Sequence, residues 1–412
     1  MKKIITFFVS ILICLTVTLG AQEYKSITGK VQDATTRKAL NFASIQLQST
    51  NISNVTNSEG VFVLKFTAST KADTLLISYL GYKSQRIPVS AFETKELVVR
   101  MEPSISNLKP ITIRPQDAST ILKMALGRVD KNYITKPVQL TSFYREMIKK
   151  GNSYVSINEA VLDINKASYI GYRADQIGIY KARGNYDINR IDTLIVKFQG
   201  GPNSALDIDI LKSPFLGVDI PMLDDVYDFK FATPVTIDDK YFYVVEFNQN
   251  TRQTEPFFRG KVYIESEQLA IARVEFSMNV EDNPSASAYF VKRKPPTLKM
   301  DVIYANYIVN YKQNNGLWFF DYSRTELKFH AKWDKKWFRS NYIISSEIAV
   351  TDLSETERKI EVENRIKPRD IISNRVNDFT DDNFWEGYNI IEPDQSIENV
   401  ISRIIKQLRK RD

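Results

Sequence analysis

Residues 54–66 read NVTNSEGVFVLKF. The stretch offers two readings, a calcium loop or the corner of a β-hairpin. A calcium loop of the D-x-[DN]-x-[DN]-G type would align Val55, Asn57 and Glu59 ahead of Gly60. Val55 has no side-chain oxygen, and Phe66 stands at the twelfth position, where a bidentate Glu belongs. The stretch therefore reads as a turn over 57–60 and a strand after it. Phe62, Leu64 and Phe66 face a core, and Val61, Val63 and Lys65 face away.

The same period of two extends in both directions. Ile27, Gly29 and Val31 share a face, Ala43, Ile45 and Leu47 alternate with polar residues, and Leu75, Ile77 and Tyr79 do so again. Turn chemistry at 33–37, 57–60 and 70–73 separates these runs. Short alternating strands at this spacing predict a small antiparallel β-sandwich. The blocks ITGKVQDATTRKALNFASIQL, TNSEGVFVLKF and TLLISYLGYKSQ also resemble the carboxypeptidase-like regulatory domain family. That resemblance implies a seven-stranded, transthyretin-like sandwich over residues 22–102 that acts as a non-catalytic accessory.

Composition tests the peptidase directly. Zinc carboxypeptidases bind their metal through two His and one Glu. This chain has one histidine, His330, and one cysteine, Cys14. His330 alternates with Phe329 and Ala331 and reads as a strand residue. No G-x-S-x-G elbow is present to make it the base of a serine site. No cofactor or metal is expected.

Lys2 and Lys3, an apolar run over 4–19, and Gly20–Ala21 form the pattern of a signal peptide over 1–21. Cys14 lies inside that run, so the exported chain carries no thiol and its core must hold it. The net charge of +7 is mild and interspersed, which argues against nucleic acid. A periplasmic or outer-membrane-associated address is expected. Pro103, Pro110 and Pro115 mark a linker over 103–117.

Beyond it, 118–126 carries helical spacing, and most of 118–392 alternates as strands. IESEQLA and KQNNGLW read as hairpin connections. The expected second domain is a large antiparallel sheet with a few helices, and a half-barrel is one form it could take. Its hairpins over 241–278 are similar to those of half-barrel lipoprotein carriers. SFYREMIKKGNSYVSINEAVLDI and KFQGGPNSALDIDILKSPFL resemble uncharacterised envelope proteins typical of the Bacteroidetes.

The least regular segment is 196–229. Its Gly200, Gly201 and Pro202 require a turn, and Phe215, Leu216, Met222 and Leu223 are apolar among prolines and aspartates. These seven residues are the candidate ligand or partner loop; the alternative is a loop that covers one end of the sheet. Trp318, Trp333 and Trp337 could line a groove for a sugar or a lipid, although such rings more often form core or cross-strand pairs. At 393–412, Ile397, Val400, Ile401, Ile404, Ile405 and Leu408 form the apolar face of a basic helix. It would either pack on the sheet or touch anionic lipid.

The leading expectation is a non-enzymatic envelope protein that binds a partner protein or an apolar ligand. The rival is a glycan-active enzyme with carboxylates drawn from Asp224–Asp225, Asp238–Asp239 or Asp381–Asp382.

Overall fold

The computed structural model describes residues 23–92, 96–104, 117–171, 173–186, 197–198, 201–212, 215–237, 240–250, 255–281, 286–293, 296–334, 339–368, 370–376 and 384–408. The signal-peptide pattern, most of the Pro-containing linker, Gly200, Asp238, Asp239, Trp337, Asp381 and Asp382 lie outside these residues.

Seven strands form the N-terminal module. They are β1 (Tyr24–Asp33), β2 (Ser44–Leu47), β3 (Ser53–Val55), β4 (Val61–Thr67), β5 (Thr74–Ser78), β6 (Gln85–Pro88) and β7 (Leu97–Met101). They make two sheets, β4-β1-β7 and β3-β2-β5-β6. All pairs are antiparallel except β1 with β7. The inward residues of both sheets, among them Ile45, Phe62, Leu64 and Ile77, pack into one core. The mainly β sandwich predicted from the alternation is present with its seven strands.

The turn over 57–60 joins β3 of one sheet to β4 of the other, so it is a corner of the sandwich and not a hairpin. Asn57 Oδ1 accepts from the amides of Glu59 and Val61, both at 2.9 Å. Gly60 has φ +77°, and its carbonyl accepts from Val31 N at 2.7 Å. A Cβ there would meet the Val31 carbonyl oxygen at 2.5 Å. Both the left-handed backbone and the close approach require glycine.

The second part begins with α1 (Ala118–Leu126), capped by Asp117, and α2 (Val129–Asn132). The strands that follow are β8 (Val138–Lys150), β9 (Ser153–Lys166), β10 (Gln176–Tyr186), the short β11 (Lys197–Phe198), β12 (Tyr227–Ile237), β13 (Lys240–Gln249), β14 (Phe258–Glu265), β15 (Ile271–Met278), the short β16 (Val291–Arg293), β17 (Leu298–Asn314), β18 (Leu317–Trp333) and β19 (Ser340–Ser354). Helices α3 (Gly201–Asp207) and α4 (Leu223–Val226) lie between β11 and β12, and α5 (Gln395–Leu408) follows β19.

Ten of these strands form one antiparallel sheet in the order β10-β9-β8-β19-β18-β17-β15-β14-β13-β12. The sheet is open, with β10 and β12 as its edges. Both hairpin readings hold. Glu265 caps the β14–β15 turn by accepting from Glu267 N and Gln268 N. Asn315 and Gly316 take positive φ between β17 and β18.

Strand alternation gives the sheet two faces. The back face carries Tyr144, Ala160, Leu162 and Ile348, and with α1, α3 and α4 it forms the main core. The front face carries Phe143, Val161, Tyr322 and Ala349, which pack against Val55 and Phe42 of the module and against Trp385, Ile390 and Ile391. The first turns of α5 continue this cover, with Ile397 and Ile401 on Met147, Tyr154 and Ile157. Sequence reading left two uses for that helix; its described apolar residues pack on the sheet.

Gly60→Ala is expected to lower unfolding free energy by at least about 2 kcal/mol, since it combines left-handed strain with a backbone clash. A urea titration followed by tryptophan fluorescence measures this, and a wild-type midpoint would contradict the account.

Candidate functional site

One row of side chains crosses the front face through every strand of the large sheet. In register from β12 to β10 stand Lys230, Glu246, Lys261, Glu275, Ile308, Arg324, Glu347, Arg145, Glu159 and Arg183. The signs alternate along the row and are broken only at Ile308. Opposite charges directly across a strand pair attract, and like charges there repel.

The half of the row from Arg324 to Arg183 is covered. Arg145, Glu159 and Glu347 are 1%, 0% and 2% exposed. Arg145 meets Glu159 at 2.6 Å and Glu347 at 3.8 Å. Arg183 meets Glu159 at 3.0 Å, and Arg324 meets Glu347 at 3.1 Å. Tyr322 donates its hydroxyl to Glu347 at 3.0 Å. Arg145 also donates to the carbonyl of Ile391 at 2.6 Å.

Aromatic rings cap the cations. Phe42 lies 5.1 Å from the Arg324 guanidinium, and Trp385 lies 4.9 Å from that of Arg183. Phe42 holds φ +61°, an unfavourable backbone for an aromatic residue, and its ring stacks on Tyr322 at 5.4 Å. Burial pushes the Glu159 carboxyl up, but Arg145 and Arg183 outweigh it and hold the group below its usual range.

The cover is fastened by polar contacts. Ser53 Oγ donates to the Val350 carbonyl at 3.2 Å, and Asn51 Nδ2 donates to that of Leu353 at 2.7 Å. Asn54 Nδ2 donates to Val63 O and Ile390 O, at 2.8 and 2.7 Å. Asn389 pairs with both backbone groups of Lys65. Residues 384–394 thus form a strap between the module and the sheet.

The other half of the row, on β12–β15, is open. Here lies a groove of about 750 Å³, lined by Asp228, Lys230, Glu246, Asn248, Arg259 and Lys261 among others. Its floor is the backbone of β14 and β15, which approach closely at Gly260; a Cβ there would meet the Glu275 carbonyl at 2.1 Å. Lys230 pairs with Glu246 at 3.7 Å, and Glu275 pairs with Arg273 at 2.6 Å. Arg259 pairs with Glu281. Among the described residues, no carboxylate lies within ion-pair distance of Lys261.

The loop singled out from sequence is placed on the back face. Pro202, Phe215 and Leu223 are buried, Leu216 is half-buried with φ +48°, and Met222 is exposed. Phe215 packs edge-on to Tyr227 and Phe247. Gly201 begins α3, whose Ala205 carbonyl accepts from Ser323 Oγ at 2.7 Å. A second buried ionic group holds the segment down. Lys166, fully buried at the end of β9, meets Asp209 at 2.7 Å and Asp175 at 2.8 Å. Tyr311 and Tyr169 donate to Asp209 at 2.7 and 3.0 Å.

Of the acids weighed for glycan chemistry, Asp224 is exposed and bonded to Lys123 and Ser119. Trp318 belongs to the core and donates to Gln268 at 3.1 Å. His330 stands half-buried between Asp301 and Asn341. Among the described residues, no group of three His, Cys, Asp or Glu is arranged to hold a metal.

Sequence reading missed the charge row, although each strand carries a local trace of it. Arg145 sits between Phe143 and Met147 on one face, and Glu159 sits between Ile157 and Val161. A charge at an apolar face position signals a buried partner on another strand.

Replacing Arg145 by Met takes from buried Glu159 its shortest ion pair and from Glu347 its 3.8 Å contact, and a loss of about 3–5 kcal/mol in unfolding free energy is expected. The pH response has a definite sign. The Glu159 value is lowered on folding, so its stabilising contribution is present above the unfolded value near 4.5 and lost as pH falls. Urea midpoints taken between about pH 6 and pH 3 should fall more steeply for wild type than for Glu159→Gln. Parallel curves would contradict the assignment.

Residues 27–113 match the CarboxypepD_reg-like domain family. No curated protein matches the chain. Among solved structures, it is similar to a DUF1329 family protein from Desulfovibrio piger ATCC 29098, with 11% identity over 57% of this chain and 94% of that one, at a TM-score of 0.24. It is similar to MucB at 11% identity over 56% of this chain and 92% of that one, with a TM-score of 0.19. Lipovitellin follows at 8% identity over 56% and 27%, with a TM-score of 0.26. These scores are too low to bear on function. The N-terminal module is a CarboxypepD_reg-like domain, and it lies over the covered half of the charge row.

Proposed function

We propose that this chain is a non-enzymatic, exported binding protein of the cell envelope, and that the open half of its front face receives a partner protein. The groove over β12–β15 carries this reading. The row that crosses it, Lys230, Glu246, Lys261 and Glu275, alternates in charge, which suits a polar protein surface. The opposite face beneath it is filled by the protein's own Phe247, Phe276 and Tyr307. A sheet packed along its back face presents these charges with little ordering cost on binding. The signal-peptide pattern at the N-terminus supports export.

The module and strap act as accessories in this scheme. They bury one half of the row and so hold the other half in place.

The test compares wild type with Arg259→Glu/Lys261→Glu, two exposed sites. Immobilised wild type should retain a defined envelope protein from a membrane extract. The double variant, with an unchanged melting temperature, should retain at least about tenfold less of it. Equal retention would remove the groove from the proposal. A stoichiometric lipid in the native mass spectrum of the purified protein would replace the partner reading with a carrier. Cell fractionation checks the address, and a cytoplasmic protein would contradict export.

A further inference from the structure

The open half of the row has an even number of charges in strict alternation: Lys230, Glu246, Lys261, Glu275. Such a row is its own complement. Turn a second copy over about a two-fold axis that lies parallel to the strands, between β13 and β14, and the order reverses. Lys230 then faces Glu275 of the other copy, and Glu246 faces Lys261. The flanking pairs on the same face, Asp228 with Asn248 and Arg259 with Ser277, also meet without like charges opposed. An axis at right angles to the strands would instead set Lys against Lys and Glu against Glu. The pattern therefore admits one of the two in-plane two-folds and rejects the other.

From this self-complementarity we infer that the groove's occupant is a second copy of this chain, docked front face to front face. The inference rests on the proposed use of the groove for protein binding and commits that use to a homodimer. Two observations support it. Lys261 has no ion-pair partner among the described residues, and in the dimer it gains Glu246 of the second copy. The module borders the open row, since Tyr79, just past β5, feels the charges of Arg273 and Glu275. Under the two-fold, each module comes to lie beyond the other copy's β12 edge, so the two copies clasp. The covered half of the row shows the same logic within one chain. There the charges number five, an odd count, and the Ile391 carbonyl supplies the extra acceptor.

Sedimentation equilibrium of the purified full chain tests this with two single variants, Glu246→Lys and Lys261→Glu. Both sites are on the surface, and thermal melts confirm that each variant folds. Wild type should dimerise, with Kd weakening at least about tenfold between about 50 and 500 mM salt. Each variant alone should be monomeric, because two like pairs would face each other. An equimolar mixture of the two variants should dimerise again, because both contacts become complementary. Wild type that stays monomeric, variants that dimerise as wild type does, or a mixture that stays monomeric would each overturn the second-copy assignment. The retention assay with Arg259→Glu/Lys261→Glu is read separately. Monomeric wild type that still retains a groove-dependent partner leaves the protein-binding proposal standing and removes only the homodimer.

Discussion

The buried contact between Arg145 and Glu159 sets the terms for the rest of the molecule. A guanidinium and a carboxylate 2.6 Å apart, both excluded from water, are tolerable only if every remaining donor and acceptor is met. Glu159 needs Arg183 as well, Arg145 needs Glu347 and a carbonyl, and Glu347 needs Arg324 and Tyr322. Each demand recruits another strand, so the ion network specifies the pairing of β10, β9, β8, β19 and β18. A slip of one residue in any of these strands would turn its charge to the apolar back face.

The same demand accounts for the chain's path. The sheet cannot supply the carbonyl that Arg145 needs, and it cannot cover the front face by itself. Residues 384–394 supply both, and the module closes the remaining side with Phe42 and Val55. Ser53 and Val350 are 297 residues apart in sequence, yet they share a hydrogen bond in the buried interface. The N-terminal module is therefore part of the cover of the sheet and not an appendage on a tether.

Sequence disclosed the parts of the structure that depend on near neighbours. Gly60, Asn315–Gly316 and the 265–268 turn announce themselves through residue types suited to positive φ or to side-chain capping. The alternation in β4 and β5 identifies the sandwich core because both faces are decided within one strand. The seven-residue loop was legible as irregular and apolar. Its anchoring was not, because Lys166 and Asp209 belong to separate segments and meet only across the fold. The charge row was illegible for a stronger reason. It requires the registers of nine strand pairs at once, and those registers are products of the fold that no single window of sequence contains.

Ile308 gives the row its division of labour. Without a charge at that position, the alternation breaks between β15 and β18, and the two halves need not balance each other. The inner half carries an excess cation and is completed by the chain's own strap. The outer half is balanced along its length and can remain in water at little cost, since exposed pairs such as Lys230–Glu246 contribute weakly to stability. Charges that weigh so little in folding are free to be set by recognition. A neutral outer row with random order would serve solubility equally well. Strict alternation, in contrast, fixes the register in which a second surface can approach, and that ties the open end of the sheet to association more than to its own fold.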